Sequence, residues 1–89
     1  MIAFIVSSDL MRDIMTLLED GERTPAQLSE ELNIPRERVR RTLGQLERIR
    51  LVVCLTPRRR KEKVYAITER GHSTLEEVRK THAGREVTH

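Results

Sequence analysis

Residues 24–27, Thr-Pro-Ala-Gln, constrain the fold of this chain more than any other stretch. A threonine followed three residues on by a glutamine is a capping box, in which each side chain satisfies a backbone N–H left unpaired at a helix start. Pro25 occupies the first helical position, where its missing N–H is no loss and its fixed φ favours the helix. A helix therefore begins here, with Leu28 and Leu32 facing inward. Asn33 tolerates the left-handed conformation that ends helices, and another helix opens at Pro35 and runs to about Ile49. Val39, Leu43 and Leu46 form its inner face, with Ile34 and Leu51 anchoring either end. Two helices separated by so short a turn must cross rather than run on as one rod.

That geometry is a helix-turn-helix. Ahead of it, a helix is expected from Asp9 to about Glu19, with Ser8 as N-cap and Gly21 closing it. Leu10, Ile14, Leu17 and Leu18 make one apolar stripe, which Met11 and Met15 widen to nearly half the circumference. After Ile49 the period changes. Leu51–Thr56 and Lys63–Ile67 are strand-like runs, and the turn between them, Pro57–Glu62, is loaded with positive charge. Thr68 then caps a last helix, Glu69 to about Thr81, with Leu75 and Val78 inward.

The 89 residues suffice for one small core and no second one. Their formal charge of +3 hides a strong asymmetry. Residues 1–35 carry two bases and seven acids, whereas residues 36–63 carry eleven bases and three acids, a local net of +8. Residues 64–89 balance, with four of each. A short segment at +8 is the electrostatic footprint expected for a polyanion, with nucleic acid first. Nine of those eleven bases are Arg, whose planar fork suits phosphates and guanine edges. On the third helix Glu37, Arg41, Gly44 and Arg48 lie opposite the core positions, flanked by Arg38, Arg40 and Gln45. The plainer reading is a solvated basic face, in which Arg38 or Arg48 pairs with Glu47 or another acid.

Other classes fit less well. No Gly-rich phosphate loop occurs and no nucleophile stands beside a plausible base, so an enzyme is not expected. One cysteine excludes an internal disulfide framework and a four-cysteine zinc site. Cys54 with His72, His82 and His89 matches no metal motif, and a thiol in an apolar strand is more often a buried small side chain. Few aromatics are present to stack on unpaired bases, which lowers RNA. No run approaches the roughly 18 apolar residues of a membrane span, and Met1–Val6 is too short for a signal core, so a cytoplasmic protein is expected.

Helix, helix, helix, hairpin, helix, with a basic third helix and a basic hairpin tip, resembles the winged helix-turn-helix regulators of archaea and bacteria, broadly the MarR- and ArsR-like groups. The segments TPAQLSEELNIPRERVRRTLGQLERIRLV and VYAITERG carry the resemblance, which covers roughly Ser8 to Lys80. Its most specific marks are the spacing of Leu43, Leu46, Leu51 and Val52, and the Thr-Glu-Arg-Gly at 68–71. The chain departs from the usual pattern in having Pro35 where Ser or Thr caps the recognition helix. It also has Arg50 where Gly precedes the Leu-Val pair, and Arg40 where Ser is frequent.

The resemblance implies a mostly helical α+β fold: a three-helix core, a two-stranded β-hairpin wing and a C-terminal helix. Residues 8–82 would form this unit, with 1–7 an apolar N-terminal extension and 83–89 a frayed tail. It further implies a sequence-specific regulator of transcription on double-stranded DNA. The recognition helix, about 35–49, would enter the major groove and the wing, 57–63, would meet the backbone or minor groove. Carried over by position, Arg36, Arg38, Arg40, Arg41, Gln45 and Arg48 are the helix contacts, with Arg41 and Gln45 on base edges. Arg58, Arg59, Arg60, Lys61 and Lys63 are the wing contacts, and Thr24 marks a phosphate site at the second helix.

A homodimer is expected, because Met1–Val6 is not needed for the core and six exposed apolar residues would be a liability. Ile2, Phe4, Ile5, Met11 and Met15 are the interface candidates. No cofactor, metal, membrane or small-molecule ligand is implied. The competing class is a winged-helix module that binds protein in a transcription complex, which needs no such charge on both elements.

Overall fold

Asp9 opens the first helix with a carboxylate at the positive end of its dipole. The computed structural model describes residues 9–87, with side chains described for residues 9–80. Its elements are α1 (Asp9–Asp20), α2 (Pro25–Leu32), α3 (Arg36–Arg48), β1 (Val52–Cys54), β2 (Tyr65–Ile67) and α4 (Glu69–Val87). The mostly helical α+β class is as expected, while Ser8 lies outside the described residues.

The core joins Met11, Ile14, Met15 and Leu18 of α1 to Leu28 of α2 and to Val39, Leu43 and Leu46 of α3. Leu51, Val52, Leu75 and Val78 complete it. Burying each such side chain contributes about 1.5–3 kcal/mol, so this cluster dominates the folding free energy. The stripe on α1 is centred differently from the expectation, because Leu10 and Leu17 sit at its border and the methionines at its middle. α1 packs against α3, α4 and β2, so a wide arc is covered. Met11 and Met15, named as contacts for a second copy, are 2% and 0% exposed within the single chain.

Local chemistry sets the helix boundaries. The capping box forms in full, with Gln27 N donating to Thr24 Oγ1 at 3.1 Å and Thr24 N donating to Gln27 Oε1 at 2.9 Å. Asn33 ends α2 in the left-handed region at φ 56° and ψ 50°. Pro35 caps α3 without a side-chain hydrogen bond, while its carbonyl accepts from Arg38 N and Val39 N. The helix proper thus starts at Arg36, because Pro35 itself is extended at ψ 142°.

Arg50 follows α3 with φ 65°, in the left-handed region that favours glycine. A left-handed non-glycine residue costs about 1–2 kcal/mol, partly offset by the freedom glycine has in the unfolded chain. Arg50→Gly is therefore expected to raise stability by about 1 kcal/mol. A higher urea midpoint would show it, and an unchanged or lower one would refute it.

β1 and β2 pair antiparallel with Val52 opposite Ile67, Val53 opposite Ala66 and Cys54 opposite Tyr65. The strands are shorter than the runs Leu51–Thr56 and Lys63–Ile67 predict. Beyond Cys54 the neck is closed by Leu55 N to Val64 O at 2.8 Å and Val64 N to Thr56 Oγ1 at 3.0 Å. Leu51 and Val52 face the core, while Val53 and Leu55 face outward at 41% and 46% exposure. A third backbone segment joins the hairpin: Arg23 N donates to Tyr65 O at 3.1 Å, and Tyr65 N to Arg23 O at 2.9 Å.

Thr68 caps α4 as expected, its Oγ1 accepting from Gly71 N at 3.0 Å. The same hydroxyl lies 2.8 Å from Arg50 O and 3.1 Å from Leu51 O, tying the end of α3 to the start of α4. α4 runs to Val87, beyond the end near Thr81 expected for it. Gly84 lowers helix propensity by about 1 kcal/mol without ending the helix. Glu19 on α1 pairs with Arg79 on α4 at 2.9 Å and approaches His72 at 3.3 Å. No helix among the described residues is long and apolar enough to cross a membrane.

Candidate nucleic-acid interface

Helical spacing divides α3 cleanly. Val39, Thr42, Leu43 and Leu46 are buried, and Thr42 Oγ1 donates to Arg38 O at 2.9 Å, so its buried hydroxyl is satisfied. Arg36, Arg38, Arg40, Arg41, Gln45 and Arg48 are all exposed. With 100° per residue, Arg41, Gly44 and Arg48 lie along the outermost ridge. Arg36 and Arg40 flank it on one side, Arg38 and Gln45 on the other. The six predicted contacts therefore do not form a single row.

Arg36 and Arg40 lie beside the hairpin. They line a cleft of about 700 Å³ together with Thr24, Pro25 and Ala26 at the start of α2, and with Arg60, Lys61, Lys63 and Tyr65. Arg38, Arg41, Gln45 and Arg48 are outside it, as are Arg58 and Arg59. Arg58, Arg59, Arg60 and Lys61 are exposed at the tip, and Lys63 is half-buried toward the neck. Glu62, the one acid of the cleft, holds φ 53° and turns the chain back toward β2.

Thr24 is placed at the cleft, but with less to offer than its position implies. Its N–H and its Oγ1 lone pair are both engaged by Gln27. Pro25 has no N–H, and Gln27 N is used by the cap, so what faces an anion is the Thr24 hydroxyl proton and Ala26 N.

Tyr65 was not among the residues singled out from the sequence. It forms the cleft's inner wall, and burial pushes its phenol above the ordinary value. Cys54 and Glu47 push the same way and Arg40 opposes them, so the ring is a neutral phenol in neutral solution. Arg23, also unflagged, holds the start of α2 to β2 and donates through Nε to Glu31 Oε2 at 2.9 Å. A single-residue bridge has no period, so sequence patterning carries no signal for it.

Electrostatically, the bases of this face stand alone. The ion pairs among the described residues are Arg12–Asp9, Arg23–Glu31, His72–Glu19, Arg79–Glu19 and Lys80–Glu76. None involves a base between Arg36 and Lys63, so the plainer expectation that Glu47 pairs with Arg38 or Arg48 is not met. Eleven bases with three acids on two adjoining elements repel one another, and a polyanion relieves that repulsion. Among the described residues no three His, Cys, Asp or Glu side chains gather as a metal site requires. Ile2, Phe4 and Ile5 lie outside the described residues.

A three-helix core, a hairpin docked beside it and a cationic third helix facing outward define a winged helix-turn-helix domain. The chain belongs to a helix-turn-helix domain family, whose profile matches residues 6–54. Its fold is similar to that of a MarR family transcription regulator, with TM-score 0.77 and 23% identity over 91% of this chain and 55% of that one. It is also similar to the adhesin competence repressor AdcR of Streptococcus pyogenes, with TM-score 0.73 and 17% identity over 91% of this chain and 61% of that one. The transcriptional regulator BldR of Sulfolobus solfataricus matches with TM-score 0.73 and 21% identity, over 82% of this chain and 53% of that one. The chain thus spans less than two thirds of the length of each of these regulators. No curated protein matches the chain in sequence.

Proposed function

We propose that this domain binds double-stranded DNA as a sequence-specific regulator of transcription. α3 enters the major groove, and the hairpin tip meets the backbone or the adjacent minor groove. The observation that carries the reading is the cluster of bases on α3 and the hairpin, none of which has an ion-pair partner among the described residues. The geometry supports a division of labour. Arg36, Arg40, Arg60, Lys61, Lys63 and the Thr24 hydroxyl, gathered at the cleft, hold phosphates. Arg41, Gln45 and Arg48 reach for base edges with Arg38 beside them, and Arg58 and Arg59 extend the grip outward. A good bidentate contact to a base edge supplies about 1–3 kcal/mol of discrimination. A two-fold pair of such units would address half-sites about 34–36 Å apart.

Fluorescence anisotropy of a labelled mixed-sequence duplex, titrated across a salt series, tests this. Five phosphates neutralised per subunit give a slope of log affinity against log salt of about −4 to −5, and about twice that for a dimer. No binding at low salt would refute the reading and make a protein partner the first thing to seek.

A further inference from the structure

Gly44 is the one position on the outer ridge of α3 without a side chain, and its neighbours along that ridge are Arg41 and Arg48. Nothing among the described residues asks for glycine there. A Cβ built on Gly44 meets no atom within 4 Å, and its φ lies outside the left-handed region. It is exposed in mid-helix, where glycine is the poorest residue after proline. The gap is therefore a feature of the surface that faces outward.

We propose that Gly44 is the point of closest approach between α3 and DNA, and that its missing side chain decides which base pairs fit beneath the centre of the helix. This rests on the reading of α3 as the groove-entering element. Arg41 lies three residues before Gly44 and Arg48 four after it, so both side chains leave the helix on the same ridge. With no Cβ between them, the helix seats deeper by about the length of one C–C bond, ~1.5 Å. At that depth the two guanidinium groups meet base edges on either side of a central step that the bare backbone covers. A methyl group on Gly44 lifts the helix and lengthens both contacts at once. The determinant is one of shape and carries no charge.

The test uses a duplex selected from a random-sequence pool by the unaltered chain, with Gly44→Ala and Arg41→Ala compared on it. Gly44→Ala is expected to melt about 4–8 °C higher, from its better helix propensity. It is expected to bind the selected duplex at least tenfold more weakly, with the salt slope unchanged because no phosphate contact is lost. Reselection with Gly44→Ala should return different central base pairs. Gly44→Ala binding as tightly as the unaltered chain, while Arg41→Ala binds weakly, overturns the proposal and leaves the DNA reading standing. Failure of the unaltered chain to enrich any duplex overturns both.

Discussion

Gly71→Ala is expected to destabilise the domain by about 2–4 kcal/mol, enough to remove much of the stability of so small a fold. A Cβ at Gly71 would stand 2.2 Å from Leu51 O and 2.6 Å from Ile67 Cγ1. Side chains can rotate away from such a contact, but this carbonyl cannot. Leu51 O accepts from Thr68 N at 3.1 Å and faces the Thr68 hydroxyl at the same distance, so moving it unties the cap of α4. Overpacking alone costs about 1–3 kcal/mol, and loss of a threonine cap about 1 more. Urea unfolding followed by circular dichroism would read it as a large drop in midpoint. A midpoint within error of the unaltered chain would show that α4 can slide on β1 without penalty. The same exchange at Gly44 has the opposite sign, because one glycine touches a backbone and the other touches nothing.

Changing Arg58, Arg59 and Arg60 together to alanine is expected to flatten the salt dependence of DNA binding by about 3 units of slope per subunit. If variant and unaltered chain converge near 1 M salt, affinity at 0.1 M falls by about 10²–10³-fold. Stability should move by less than about 0.5 kcal/mol, because all three side chains are exposed and form no ion pair among the described residues. The two readouts separate a lost contact from a lost fold. An unchanged slope with an intact fold would place the duplex away from the hairpin.

What was legible in the sequence was what neighbouring residues decide among themselves. The capping box at Thr24 and the Thr68 cap join partners three residues apart, the left-handed Asn33 bonds Ser29 four residues back, and each formed as read. The inner face of α3 was also legible, since its charged and apolar positions separate at helical spacing. α1 was harder: six apolar residues cover so wide an arc that only the neighbouring elements choose its centre, and they chose Met11 and Met15. The pairing of Arg23 with Tyr65 joins residues far apart in sequence through backbone atoms, which no side-chain pattern announces. The division of the basic residues between cleft and outer ridge needed that pairing, because it brings the start of α2 and the root of the hairpin together. Arg50 is the converse case: the departure from glycine was visible, but only its φ of 65° shows what it costs.

The backbone bonds from Arg23 to Tyr65, with that from Leu55 to Val64, act as a caliper set to a fixed opening. One jaw is the start of α2 with α3 packed against it, the other the neck of the hairpin, and the bonds across the gap between them run from backbone to backbone. Residues 57–62 can therefore be exchanged for another tip of equal length without resetting the opening. Grip and gauge are separable in this fold, so variants with altered affinity can be built at constant span.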